Sequence, residues 1–508
     1  MKNNVLIVGA GPTGLVLALW LTKQGIPVRI IDKTAAPVVN SRALGIQAHT
    51  LELYQQMDLA EEIIQAGHAN LQLNLWANGK KRGILKLVEQ GQKLTPYPFL
   101  LIYPQDQHER ILIRHLEKLG VIVERSTELI SFSDYPDHIS AQIIGPQGKE
   151  NYHAHFLAAC DGGKSPIRHQ LGLNFPGGTY SQVFYVADVV VKGAAVDGGA
   201  HISFDQHDFV LLLSYGELGQ ARLIGIIRED QVESLQNISF NDIHHTAIQD
   251  LGLSIEKVNW FSTYRVHHRI VSDYRIGRVF LVGDAAHLHS PAGAQGMNTG
   301  IGDAINLAWK LAAVIKNQAS EQLLDSYQIE RRAFAEKLVK STDRIFSLVT
   351  AEGYFFSQFR TKIIPYILPK IYNNHHLSQF IFRLISQLSI HYRHSPLSQK
   401  NLGKLQGGDR LPWIEYEQSN NLESLKKMLW QVHVYGTAPP QLQVWCKMNN
   451  VPLNVFAWDI SCEQAGLLEN AIYLLRPDTY IALIDPQAET RTLDEYFQNR
   501  QINCSAQI

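Results

Sequence analysis

An α/β fold is predicted for this chain: a helix-wound parallel sheet, an antiparallel sheet set into it, and a further α/β unit at the C-terminal end. Three observations predict it. A short apolar strand at Asn4–Val8, a helix at Pro12–Gln24 and a strand at Val28–Ile31 form a β-α-β unit, whose helical crossover requires parallel strands. Leu71–Leu87 and Gln182–Ile227 are rich in β-formers and alternate as antiparallel strands do. Beyond a turn-rich stretch around Gly403–Pro412, Gln431–Tyr435, Leu453–Asp459, Asn470–Leu475 and Tyr480–Ile484 read as strands, with Pro477-Asp478 turning the last pair.

The remaining elements follow in order. Helical periodicity marks Thr50–Ala66, and helix Gln107–Leu119 separates two strand-like stretches. Helices are also predicted over Gly302–Asn317 and Glu321–Ser347, and Phe355–Tyr392 continues helical and unusually aromatic. A chain of 508 residues accommodates two or three domains without metal or disulfide staples. Its four cysteines, Cys160, Cys446, Cys462 and Cys504, form no CxxC pair, as expected of free thiols in a reducing cytoplasm. A formal charge of -1 without a long basic run argues against a nucleic-acid or anionic-membrane surface. The adjacent histidine pairs His244–His245, His267–His268 and His375–His376 lack the turn spacing of ligands, so no metal is expected. Val5–Leu21 imitates a signal peptide, but its glycines and the strand that follows it favour a folded unit.

Three motifs carry chemistry. The first, Gly9-Ala-Gly11-Pro12-Thr13-Gly14, lies between strand and helix: glycines for a tight turn, close approach to a pyrophosphate, and helix–strand packing. The helix start offers free N–H groups to phosphates, and Asp32, followed by Lys33, ends the second strand where a carboxylate accepts from ribose hydroxyls. The alternative is a turn that merely packs the unit. The second motif, Asp161-Gly162-Gly163-Lys164-Ser165-Pro166-Ile167-Arg168, reads either as an ordinary strand-turn-helix or as an anion-binding corner. In the third, the strand of Gly277–Gly283 delivers Asp284, and a glycine-rich loop then reaches a helix start near Met297. Asp284 suits a hydroxyl chain or, alternatively, a helix N-cap, and the loop aims N–H groups at an oxygen that gains charge.

These motifs, in this order over about residues 1–400, resemble the class A flavoprotein monooxygenases, the para-hydroxybenzoate hydroxylase-like aromatic hydroxylases. The resemblance implies a Rossmann-like FAD-binding domain over 1–180 and 275–400, and an inserted β-sheet substrate domain over 70–100 and 181–274. It implies that Gly9, Gly11, Pro12, Thr13, Gly14, Asp32 and Lys33 hold the ADP half of FAD. Arg42 would sit near the pyrophosphate, Gln105 at the flavin side, and Leu129 would offer backbone to adenine. Asp161 would serve FAD and NAD(P)H, with Arg168 closing that corner. Asp284 would take the ribityl chain, and Gly296, Met297 and Asn298 the pyrimidine edge. Pro291 falls where a backbone carbonyl approaches substrate. Arg42, Arg168 and Arg269 are candidates for the phosphates of a transiently docked NAD(P)H. Two departures stand out: Gly302 replaces a usual glutamine, and Ser290-Pro291 replaces a proline pair. Residues 405–508 resemble the thioredoxin-like C-terminal domain of phenol-hydroxylase-type members, chiefly at Leu474–Ala482; Cys446 and Cys462 are too far apart for a redox pair, so a structural or homodimer-supporting role is expected.

By this resemblance NAD(P)H reduces FAD, O2 adds at the flavin C4a, and the hydroperoxide gives one oxygen to a phenolic or polyketide-like aromatic inside a dry cavity. Tyr215 and His201, in the β-rich cap, are candidates to polarise a phenol; for each the alternative is a packed or surface side chain. An antibiotic-inactivating member and a flavin-binding protein without turnover are the other readings. A halogenase is disfavoured, since no tryptophan has another two positions away.

Overall fold

The computed structural model describes residues 4–37, 43–193, 195–196, 199–205, 209–215, 219–227, 238–243, 245–290, 294–350, 358–399, 403–417 and 419–506. Strand β1 (Val5–Val8), helix α1 (Pro12–Lys23) and strand β2 (Val28–Ile31) form the expected unit, with β1 parallel to β2. Residues Leu15 to Leu21 of α1 are all buried, so the helix is apolar all round rather than amphipathic. Helix α2 (Gln105–Lys118) packs on α1, and β3 (Phe156–Ala159) pairs parallel to β1 on the side away from β2.

The long strands β4 (Gly177–Gly193) and β5 (Leu253–Ile270) lie antiparallel as the spine of an eight-stranded sheet. Gln220–Ile227, Phe209–Ser214, Ala200–Phe204, Gln72–Ala77 and Lys80–Lys86 follow in that order across it. Ala200–Phe204 runs parallel to Gln72–Ala77, a join between segments far apart in the chain. Strand β6 (Val279–Leu281) then returns beside β3, giving the parallel order β6-β3-β1-β2. Helix α3 (Gly296–Ile315) packs along α1, and α4 (Asp325–Thr350) follows.

Several expected boundaries shift. The Thr50–Ala66 region is two helices, Ala48–Gln55 and Ala60–Ala66, because Asp58 adopts a left-handed φ of 59° between them. Helix α3 begins at Gly296, next to the start expected near Met297 and ahead of Gly302, from which the helical stretch was read. Beyond Ile385 the chain leaves helical structure, so the aromatic helical region ends before Tyr392.

The last residues form a four-stranded sheet. Gln431–Tyr435 pairs parallel with Leu453–Phe456 and antiparallel with Ile472–Leu475, which pairs antiparallel with Ile481–Asp485. Val432, Val434, Ile472 and Leu474 join the same hydrophobic core as β1, α1 and α3. A buried polar cluster crosses the same junction. The Arg476 guanidinium donates to both carboxylate oxygens of Glu330, at 2.6 and 2.9 Å, and to Asp478. Lys310 reaches Glu330 at 2.7 Å, and the Trp309 indole donates to Asp478 at 2.9 Å. Among the described residues no helix is long and apolar enough to cross a membrane.

Candidate functional site

The first motif is built by steric necessity. Gly9 has φ +104°, and a Cβ there would run into the Cys160 carbonyl; a Cβ on Gly14 would meet the Gly9 carbonyl oxygen. A Cβ on Gly11 would meet no atom of the described residues within 4 Å. Two glycines therefore pack the turn against β3, while the third leaves open space at the uncapped N-terminus of α1, where a pyrophosphate fits. Thr13 turns inward: a Cβ on Gly283 would lie 2.8 Å from its hydroxyl, and Gly300 lies against the same hydroxyl. This residue therefore bolts the first motif to the third.

Asp32 orders the turn beside it, accepting from the Ala10 N–H at 2.7 Å and from the Thr34 N–H at 2.8 Å. A carboxylate has further lone pairs for a ribose. The Thr127 N–H bonds the Asp32 carbonyl at 2.9 Å, which brings the strand carrying Leu129 to this edge; the Leu129 side chain itself is buried. Lys33 is exposed, and Arg42 lies outside the described residues.

At the second motif Ser165 caps its short helix, accepting from the Arg168 N–H at 3.0 Å. Asp161 accepts from the Ile167 N–H through one oxygen, while its other oxygen is buried without a partner among the described residues. Burial holds this carboxyl above the usual carboxylate range. Such an orphan acceptor fits a ligand hydroxyl or amide. Arg168 is buried and donates to the Ala285 and Gly163 carbonyls at 3.0 and 2.8 Å, with Phe175 stacked 3.9 Å from its guanidinium. It ties the second motif to the third, with both terminal nitrogens of its guanidinium spent on carbonyl oxygens.

The third motif places Asp284 on a 3-10 turn after β6. Its side chain is solvent-accessible, yet enough protein surrounds it that burial raises its carboxyl pKa. No side chain caps α3, so the amides of Gly296, Met297 and Asn298 face outward as its first turn. The Asn298 side chain points into the protein: it accepts from the Gln47 N–H at 2.9 Å and Thr50 at 2.8 Å, and donates to Gly45 and Ala294. Only its backbone remains for a ligand. Pro291 lies outside the described residues.

Behind this loop sits a group that sequence reasoning missed. Asp303 is fully buried, accepts from the Gly283 N–H at 3.1 Å, and pairs with His287 at 2.7 Å and Arg331 at 2.5 Å. Although burial opposes its charge, Arg331 and His287 hold its carboxyl below the usual range. Arg331 also explains the departure at Gly302, because a Cβ there would lie 3.1 Å from its guanidinium.

Gln105 opens α2 and donates to Glu109 at 2.7 Å. Burial pushes the Glu109 carboxyl up to about 7, with Asp32 and Asp106 adding to the shift and Gln105 and Arg125 opposing it. A folded-state pKa above the unfolded value means that the native protein holds the extra proton between about 4.5 and 7, so stability falls as pH rises through that window. Glu109→Gln is expected to remove that slope, worth on the order of 2–3 kcal/mol, when melts at either end of the window are compared with wild type.

Residues 2–342 match the FAD binding domain family. The chain is 33% identical over 406 residues to 6-methylpretetramide 4-monooxygenase of Streptomyces rimosus, covering 78% of this chain and 71% of that one. It is 34% identical over 352 residues to a flavin-dependent monooxygenase of Mycobacteroides abscessus, covering 67% and 74%. The chain belongs to the class A flavoprotein monooxygenases. An anhydrotetracycline hydroxylase of Streptomyces rimosus superposes on this monooxygenase with a TM-score of 0.78 at 25% identity, covering 99% of both chains.

The eight-stranded sheet of the monooxygenase has two different faces. Ala200, Leu211 and Leu213 cluster with Leu44, Leu100, Ile102 and Tyr215 against the segments next to the cradle. Asp188 takes a two-pronged ion pair from Arg222, at 2.7 and 2.8 Å, and lies beside Tyr215. Burial and Asp188 raise the Tyr215 pKa, so its hydroxyl keeps its proton. His201 is a correction to the expected pair: it faces the opposite side, in register with Leu212 and accepting from the Trp76 indole at 3.0 Å. The alternation of a strand places only one of the two candidates toward the cradle.

Proposed function

We propose that this FAD-dependent monooxygenase consumes NAD(P)H and O2 to hydroxylate a phenolic or polyketide-like aromatic, held on the Tyr215 face of the sheet. The apolar cluster around Tyr215, set against the cradle segments and holding one anchored polar group, carries this reading. Relatives named for 6-methylpretetramide and anhydrotetracycline favour a polyketide-like ring system.

Bound FAD supplies hydride acceptance and oxygen activation. Gly11 and the α1 amides would hold its pyrophosphate, Asp32 a ribose, Asp284 its ribityl hydroxyls, and the α3 amides the ring edge that gains charge on reduction. Asp161, which opens the second motif, is the expected contact for both dinucleotides. On the substrate side, Tyr215 donates to Asp188 and so leaves its oxygen to accept a phenol's hydrogen bond. That polarises the phenol and enriches the ring in electrons. Leucine and isoleucine walls exclude water from the transfer.

The C-terminal sheet, in which Gln431–Tyr435 pairs parallel with Leu453–Phe456 and antiparallel with Ile472–Leu475, supports a thioredoxin-like unit. Cys446 and Cys462 are buried and burial raises both thiol pKa values, which supports a structural role.

The test is NAD(P)H oxidation by the purified flavoprotein with and without a panel of phenols and fused-ring aromatics. Substrate-stimulated consumption with an oxygenated product is expected; its absence across the panel would favour a flavin-binding protein without turnover. Tyr215→Phe is expected to slow single-turnover hydroxylation about 10- to 100-fold with FAD content unchanged. An unaltered rate removes Tyr215 from the mechanism.

A further inference from the structure

We infer that a cavity of about 190 Å³ between α4 and the segment 384–395 binds a small aromatic carboxylate, at a site separate from the hydroxylation face. Its walls are apolar: Phe334 and Leu338 from α4, with Leu384 and Ile390 opposite. The volume matches a single substituted ring, since a cavity of roughly 150 Å³ takes up benzene.

The lining carries an excess of positive and donor groups. Lys337 from α4 and His391 and His394 from the facing segment are part of the lining. The carboxylates nearby are already engaged: Glu330 by Arg476, Lys310 and Ser395, and Asp409 by Arg393 at 2.6 and 2.8 Å. His391 Nδ1 is buried and has no partner among the described residues. Burial, with Lys337, Arg393 and His394 adding to it and Asp409 opposing, lowers the His391 pKa. An apolar slot beside the Lys337 ammonium and an imidazole nitrogen without a partner among the described residues selects a ring with a negative head group.

The cavity wall also includes Gln295, whose carbonyl accepts from the Thr299 N–H at 2.8 Å and from its hydroxyl at 2.9 Å, fixing the first turn of α3. A molecule seated there touches the turn that addresses the flavin edge, so the site is placed to act as an effector site.

The experiment is ¹⁹F NMR of the FAD-loaded protein with 4-fluorobenzoate and with its uncharged counterpart 4-fluorobenzamide. A bound benzoate resonance is expected in wild type, lost in Ala333→Trp, which fills the cavity, and weakened about tenfold in Lys337→Met or for the benzamide. The exposed Lys337 side chain makes that variant safe for folding. The proposal is overturned by no bound resonance at millimolar benzoate, by a resonance that survives in folded Ala333→Trp, or by equal affinity in Lys337→Met.

Discussion

Gly14→Ala is expected to purify without visible flavin absorbance and to melt well below wild type. The added methyl would drive into the Gly9 carbonyl and crowd the Cys160 side chain, so α1 must move away from β3. The backbone amides of the first motif would move with it. Gly11→Ala separates packing from binding, because its methyl meets no atom of the described residues within 4 Å. That variant is expected to keep the wild-type apoprotein melting temperature while losing FAD affinity by 100-fold or more, about 3 kcal/mol, since the methyl occupies ligand space. Fluorescence titration of the apoproteins with FAD checks both. A Gly11→Ala protein that binds FAD as wild type does would show that the pyrophosphate lies elsewhere.

Arg476→Met is expected to cost about 3–5 kcal/mol, because it strands Glu330 and Asp478 as buried carboxylates with too few cations. The attraction of Arg476 and Lys310 holds the Glu330 carboxyl far below its usual range despite burial. A depressed carboxylate pKa stabilises the fold above the unfolded value and is lost as pH falls through the folded one. Arg476→Met should therefore shrink the gap between neutral and acid stability as well as the total. Adding Glu330→Gln and Asp478→Asn to Arg476→Met should recover part of the loss, because no unpaired charge then stays buried. Urea melts of the full chain measure all three effects. A cost below about 1 kcal/mol would mean that water reaches this junction.

The cradle was legible because its chemistry is local. Gly9, Gly14 and Asp32 lie within one β-α-β unit, and the order strand, glycine turn, helix is written directly in the chain. Groups that meet only after folding were not legible. Asp303 pairs with Arg331 from 28 residues away, and Arg476 with Glu330 from 146, and charged residues on helices read as solvated until a neighbour covers them. Asn298 was placed correctly on the α3 turn, but its side chain bonds back to Gln47 and Thr50, a contact 251 and 248 residues distant. His201 illustrates the parity of strands: the facing of an isolated strand is set by register with partners elsewhere, here Leu212 and Asn74.

The parallel join of Ala200–Phe204 to Gln72–Ala77 has a consequence for biosynthesis. The hairpin ending at Lys86 leaves the ribosome long before the strand that covers its edge. At typical elongation speeds of about 5–20 residues per second, that edge waits roughly 6–23 s for its neighbour. During this interval Leu73 and Leu75 have neither sheet nor helix over them, and the exposed edge can template association with another nascent chain. Lys80, Lys81 and Lys86 on the outer strand supply charge against such pairing while the rest of the sheet is still being made.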